Sequence, residues 1–357
     1  MHILPAKTIE SISMELFEAA GVSKEESMLV TRHMIEASLA GVDSHGVVRI
    51  PEYIGRILRI PEFADMYTQT GVPDPVRPNA KMTVERETTT TAILDGGWGF
   101  GQVAARKAMN IAIEKAKSSN VGIVAVRNVD QIMRAADYTL MATQHGMIGA
   151  LFVKTIPVMA PTGGRTRILG NNPISFAIPA GEENPIVVDF AMSVVAGGKV
   201  VVAAEEGEPI PTGWLIDSNG NETTNPNDFM SGGSLLPAAK HKGYGLSVVM
   251  EVLGGILSGA GALSDYAGDN AFLAMAINVE AFMPLPEFKK KIDKLIRDLR
   301  NSPRVQGIQS VVVPGEPEFR MRDLRIKQGI PIPNKAWANI QLLAKKLNVK
   351  IPDKTDQ

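Results

Sequence analysis

The stretch TTTTAILDGGWGFGQVAARKAMNIAIEKAKSSNVGIVAVR, residues 88–127, decides how the rest of the chain is read. A β-branched apolar run, a glycine-rich turn, a long Ala-rich helical run and a second apolar run follow one another, the order of a strand–helix–strand unit. Glycines at the first turn invite comparison with the doubly wound dinucleotide fold. The spacing refuses it, because Gly97, Gly99 and Gly101 alternate and do not form G-x-G-x-x-G. The second strand also ends in Arg127, where that fold places an acidic residue for a ribose. The glycines need then make only a tight turn into a helix.

Working outward, RAADYTLMATQHG reads as a helix, and MIGALFV, PISFAIP and PIVVDF read as strands. Residues 207–242 carry little periodicity and are expected to be a long loop region. GYGLSVVMEVLGGILSGA is expected to be an apolar helix in the core. NAFLAMAINV and IQSVVVP read as strands, with the amphipathic helix LPEFKKKIDKLIRDLRN between them, and the tail NKAWANIQLLAKKLN is a helix behind an Asn334 cap. Upstream, the first 60 residues read as helical. Ser23-Lys24-Glu25-Glu26 has the capping-box pattern, and Gly41 stops the helix that follows it. RIPEFADMYTQTGVPDPVRPN reads as a linker. The chain is mixed α/β with helices at both ends.

Composition sets limits on function. The 357 residues are 45% hydrophobic and 21% charged with a formal net charge of −1, which gives no electrostatic reason to expect nucleic acid or an anionic membrane. No apolar run approaches the roughly 20 residues that span a bilayer. The first residues lack the basic and apolar stretches of a signal peptide, so a cytoplasmic location is expected. There is no cysteine, which excludes disulfides and thiolate chemistry. His2, His33, His45, His145 and His241 show no metal-binding spacing, and no G-x-S-x-G elbow is present, so neither a metal site nor a hydrolytic triad is expected.

One cluster stands out as chemistry. In DSHGVVRIPEY, residues 43–53, helical spacing would put His45, Arg49 and Tyr53 on one face. Arginine offers a planar fork to a carboxylate, and a histidine one turn away exchanges protons near neutral pH. Ser44 adds a hydrogen bond. The alternative is a capped helix start with polar surface residues. Two further stretches are open in the same way. PTGGRTRILGNNPISFAIP, residues 161–179, is either a structural loop or a backbone-lined pocket wall. Lys242, at the mouth of a Gly-opened helix, is either an anion site or a solvated lysine.

The sequence resembles the type-2 malate/L-lactate dehydrogenases over nearly its whole length. Members of that family include ureidoglycolate dehydrogenase, 2,3-diketogulonate reductase and Δ1-piperideine-2-carboxylate reductase. The resemblance rests on DSHGVVRIPEYI, DGGWGFGQ, PVMAPTGGR, LGNNPISFAIP, VVDFAMSVVAGGK, IPTGWLID, LLPAAKHKGYGLS and VVVPGEPE, in that order. It implies a non-Rossmann nicotinamide-binding fold with a largely antiparallel mixed sheet, plus a helical domain built from both termini. The boundaries would be 1–75 with 315–357 for the helical part, and 76–314 for the cofactor-binding part, with a loop-rich insertion at about 200–242. It also implies an NAD- or NADP-dependent enzyme moving hydride to or from C2 of a small 2-hydroxy or 2-oxo acid. The site would lie at a homodimer interface. Carried over by position, Ser44, His45 and Arg49 match the substrate and proton-transfer cluster, with His45 as the proton-transfer residue and Arg49 as the carboxylate clamp. Thr155, Asp189-Phe190-Ala191, Lys242 and Pro314-Gly315-Glu316 fall at cofactor-contacting positions.

Departures from the family pattern gather in one place. The usual Ser-Asn-His-Phe/Tyr-Gly run is here Val129-Asp130-Gln131-Ile132-Met133, so the family's second proton-transfer histidine is Gln131. Glutamine donates a hydrogen bond to a carbonyl oxygen but cannot take a proton from an alcohol. Met133 adds bulk and Arg134 adds charge. Met192, Gly197, Ala238-Ala239 and Asn270 also replace the usual residues. These changes keep two alternatives open beside the dehydrogenase: a redox-neutral enzyme such as an epimerase with tightly held NAD, and a cofactor-binding protein that has lost the chemistry.

Overall fold

The computed structural model describes residues 1–63, 76–261 and 270–351. Most of the linker expected at 59–79 lies outside the described residues. The strand–helix–strand unit that opened the analysis forms as Thr91–Gly99, Gly101–Ser119 and Val121–Val129, and its two strands pair in parallel. The helix lies flat on the sheet because Ala104, Ala108, Ala112 and Ala116 recur every four residues and are fully buried. The approach is so close that a Cβ on Gly122 would sit 1.9 Å from the Ala112 carbonyl oxygen.

A seven-stranded sheet grows from this unit in the order Thr83–Glu87, Thr91–Gly99, Val121–Val129, Asn270–Asn278, Met147–Lys154, Ile174–Ile178, Ile186–Phe190. Every other neighbouring pair in it is antiparallel. The sheet is therefore mixed and largely antiparallel, unlike the parallel sheet that repeated crossover helices build.

Four expectations need correction. Residues 207–242 are not structureless: Leu215–Ile216, Glu222–Thr223 and Ser234–Leu235 join Pro157–Met159 and Leu169–Gly170 in a five-stranded sheet. Two-residue strands are too short to leave a period in the sequence. IQSVVVP forms no strand, and Ile308 and Val312 are exposed. The last helix, Asn334–Lys346, is capped by Pro333, while the Asn334 side chain accepts from the amino terminus. Finally, GYGLSVVMEVLGGILSGA does not enter the core. The helix His241–Met250 and the turns after it keep Leu246, Val249, Val252, Ile256 and Leu257 exposed, the last two at 53% and 55%.

Both termini share one core. Strand His2–Leu4 pairs with Ile330–Ile332, and the helices Ala6–Ala19, Lys24–Leu39 and Ile50–Leu58 pack with Trp337, Ile340 and Leu343. Phe100 and Met133 reach into that cluster from the sheet side, which brings the two parts of the chain together next to residues 43–49.

Candidate active site

The helix Lys24–Leu39 begins at Ser23, whose Oγ accepts from Glu26 N–H, and gives way near Gly41, which adopts φ +80°. The chain then makes a 3-10 turn at Asp43–His45, an extended step at Gly46 and a second 3-10 turn at Val47–Arg49. Gly46 is required there, because a Cβ would lie 2.0 Å from Ser38 Oγ. Ser38 Oγ in turn accepts from Val47 N–H at 3.0 Å. The turn is fixed from the other side by Arg325, which donates to both Asp43 carboxylate oxygens at 2.5 and 3.0 Å.

This break overturns the expectation of one helical face for His45, Arg49 and Tyr53. His45 lines a cavity of about 620 Å³. Arg49 is buried behind it, and Tyr53 is fully enclosed, stacked on Phe100 with ring centroids 5.9 Å apart. Tyr53 donates to the Gln131 carbonyl oxygen at 3.3 Å and accepts from Gln102 at 3.1 Å. Arg49 Nη2 lies 2.7 Å from Glu52 and 3.5 Å from Gln131 Oε1. Arg56 completes this buried layer with two 3.0 Å bonds to Asp130. Glu52 and Arg56 gave no signal in the sequence beyond their charge.

The cavity gathers several of the singled-out residues. Asp189, Phe190 and Ala191 form one wall, Pro314 and Gly315 another, and Asn171 and Pro173 bring in the 161–179 stretch. Gly315 adopts φ +95° and packs against Val187, so a side chain there would be strained. Thr155 sits one layer back, its hydroxyl donating to Asn171 Oδ1 at 2.7 Å. Glu316 turns away toward Arg300 and Arg320. Lys242 is exposed at the start of its helix and is not part of the cavity wall. Ser44 is exposed, with Oγ 2.9 Å from His45 Nδ1. Gln131 lies behind the cavity with Arg49, whereas Met133 and Arg134 are on its wall. Glycines 97, 99 and 101 serve packing: a Cβ on Gly101 would strike the Asp130 and Gln131 carbonyls at 2.2 and 2.4 Å.

Burial, then the neighbouring Arg49 and His33, lower the His45 pKa to about 4, so its imidazole is neutral at pH 7. His33 is neutral too, lowered by burial to about 3. It accepts from Arg134 N–H at 3.2 Å through Nε2, which leaves the Nδ1 proton facing Asp137 Oδ2 at 3.3 Å. Burial raises Glu52 to about 7 against the pull of Arg49 and Arg56. Asp189 is likewise raised to about 6 by burial, although Ala136 N–H donates to it at 2.8 Å. Met133 adopts φ +63°, a region that favours glycine. Among the described residues no group of three or more His, Asp or Glu is placed to hold a metal ion, and no helix is long and apolar enough to cross a membrane.

A neutral, hydroxyl-contacted histidine on a concave apolar wall, with a buried arginine behind it, suits proton transfer to a small anionic substrate. The sequence model of the malate/L-lactate dehydrogenase family matches residues 4–341. The chain belongs to this family. It is 37% identical to malate dehydrogenase of Pyrococcus abyssi, over 97% of this chain and 95% of that protein. It is 32% identical to malate/(S)-sulfolactate dehydrogenase of Methanothermus fervidus, over 98% of this chain and 99% of that one. Among solved structures, malate dehydrogenase of Entamoeba histolytica superposes with a TM-score of 0.90 at 30% identity, covering 99% of each chain. As a malate/L-lactate dehydrogenase family member the protein is an oxidoreductase, and membership implies a nicotinamide cofactor.

Proposed function

We propose that the protein is an NAD- or NADP-dependent dehydrogenase of a small 2-hydroxy acid, working on the malate/lactate pattern at C2. The observation that carries this is the placement of His45, neutral and in contact with Ser44, on the same cavity as Asp189-Phe190-Ala191 and Pro314-Gly315. A cavity of about 620 Å³ with mainly apolar walls fits a nicotinamide and a small acid, within the roughly 300–1,000 Å³ of small-molecule sites. When bound, the nicotinamide supplies or accepts the hydride at C2.

The chain's own residues do the rest. In oxidation, neutral His45 takes the proton from the substrate hydroxyl; in reduction, the protonated ring returns it to the oxygen. Ser44 serves either tautomer, donating to a bare Nδ1 or accepting from a protonated one. Arg49 is the proposed clamp for the substrate carboxylate. Glu52 competes for it, and the raised pKa of Glu52 weakens that competition near neutral pH. Gln131 is the proposed polarising donor to the substrate oxygen, replacing the family histidine. Thr155, Lys242 and Glu316 belong to the proposed cofactor surroundings, and Tyr53 holds the substrate side of the site through Gln131.

The shared core of the two termini supports a helical part at 1–75 with 315–357 and a cofactor-binding part at 76–314. The exposed apolar face from Leu246 to Leu257 supports a homodimer, since faces of this kind on a soluble chain mark interfaces. Leu246→Asp with Val249→Asp is expected to halve the molecular mass seen by light scattering; an unchanged mass, or a monomeric native protein with full activity, removes the dimer. The function itself is tested by following NADH and NADPH consumption with oxaloacetate and pyruvate. Turnover by the native protein, reduced about 10²–10⁴-fold in His45→Asn with cofactor affinity retained, is the expected result. Equal turnover in the variant would exclude His45 from the chemistry.

A further inference from the structure

We propose that Arg134 is a second anion receptor in the cavity, selecting substrates that carry an anionic group beyond the 2-hydroxy acid carboxylate. Arg134 is the one lysine or arginine among the described residues that line the cavity, and it shares that wall with His45. Its side chain is 9% exposed, so its guanidinium works in a medium where a charge-assisted hydrogen bond is stronger than in water.

The guanidinium is also held in place. Its Nη1 donates to Asp137 Oδ1, and this is the hydrogen bond that the side chain makes among the described residues. Asp137 Oδ2 faces the His33 ring, and the Arg134 backbone N–H donates to the other side of that ring. His33 is itself stacked on Tyr138 with centroids 5.1 Å apart. Asp137 therefore takes one edge of the planar fork and leaves the Nε and Nη2 side for an incoming oxyanion. Asp189 and Glu318 also face the cavity. Asp189 is tied to the Ala136 N–H, and an anion close to Asp189 or Glu318 would meet like charge, which disfavours those positions relative to the arginine.

A monocarboxylate bound through Arg49 leaves Arg134 without an anion, whereas a dicarboxylate, or an acid with a terminal sulfonate, fills both receptors. The inference deepens the proposed function and shares its assumption that the cavity takes 2-oxo acids.

The test compares the native protein with Arg134→Gln. Turnover is measured with oxaloacetate and pyruvate, and equilibrium binding with L-malate and L-lactate by calorimetry. In the native protein oxaloacetate should exceed pyruvate in kcat/KM. Arg134→Gln should lower kcat/KM for oxaloacetate by about 10- to 100-fold, chiefly through KM, with pyruvate and NADH affinity nearly unchanged. Because removing Arg134 takes away the arginine that is hydrogen-bonded to Asp137, the pair Arg134→Gln with Asp137→Asn is measured in parallel. An oxaloacetate-to-pyruvate ratio that is the same in native protein and both variants overturns the proposal. So does a loss confined to NADH binding, which would make Arg134 a cofactor contact. If the native protein reduces neither acid, the dehydrogenase function fails, and calorimetry still decides on Arg134. Malate binding lost in the variants sustains the receptor, and equal malate binding overturns it.

Discussion

The two stretches of chain at the candidate site, Asp43–Arg49 and Val129–Arg134, differ in how closely they keep the family pattern. The first keeps DSHGVVR intact and is fixed at three points: Ser38 beneath Gly46, Arg325 on Asp43, and Glu52 on Arg49. The second departs from the run that the resemblance implies, contributes a methionine in a left-handed conformation, and puts an arginine on the cavity. A cavity of this kind separates two tasks. Proton transfer needs one group held tightly in one place, and in the proposed function the constrained turn would supply it through His45. In the proposed function, substrate choice depends on Met133 and Arg134, which line the same cavity as His45.

The contrast can be broken most sharply at Gln131. If His45 alone handles the proton, restoring the family residue by Gln131→His should add a second acid/base and raise kcat for alcohol oxidation by about 10-fold or more. No change, or a loss, would show that Gln131 serves Arg49 and not the reacting oxygen. A smaller effect is expected from Met133→Gly. The substitution relieves left-handed strain of about 1 kcal/mol but removes a buried side chain that is worth about 2–5 kcal/mol. The variant should therefore melt lower while accepting 2-oxo acids with bulkier C3 substituents several-fold better. A higher melting temperature with unchanged specificity would mean that Met133 is only strained and does not shape the cavity.

The smallest effect concerns pH. Glu52 is raised by burial from 4.5 to about 7. Between those values the unfolded chain releases a proton that the folded chain keeps, so its contribution to stability is full below about 4.5 and is lost as pH rises through about 7. Glu52→Gln removes this slope. The melting temperature of the variant, relative to native protein, should rise by a few degrees from pH 5 to pH 8. Parallel curves would show that Glu52 is ionised throughout.

Much of the fold was legible because its strongest signals are local. The alanine period of Gly101–Ser119 and the β-branched strands around it are set by packing between neighbours in the chain. The helix His241–Met250 misled for a related reason: an apolar sequence does not say which of its side chains the rest of the chain will cover. At the site, the residue types at positions 44, 45 and 49 carried the expectation of proton transfer and carboxylate binding. Their geometry did not follow from helical spacing, because the break at Gly46 is dictated by Ser38, eight residues earlier and across a turn. The buried layer of Glu52, Arg56 and Asp130 was invisible for the same reason, since partners 74 residues apart share no sequence period.

The proposed dehydrogenase function turns on whether the cavity beside His45 takes a nicotinamide. Purified protein, checked first for nucleotide carried through purification, should be titrated with NADH and with NADPH while cofactor fluorescence is followed. Saturable binding of one or both, displaced by the matching oxidised cofactor, is the predicted result. No binding, with no nucleotide already in place, would mean that the family's chemistry has been lost from this chain.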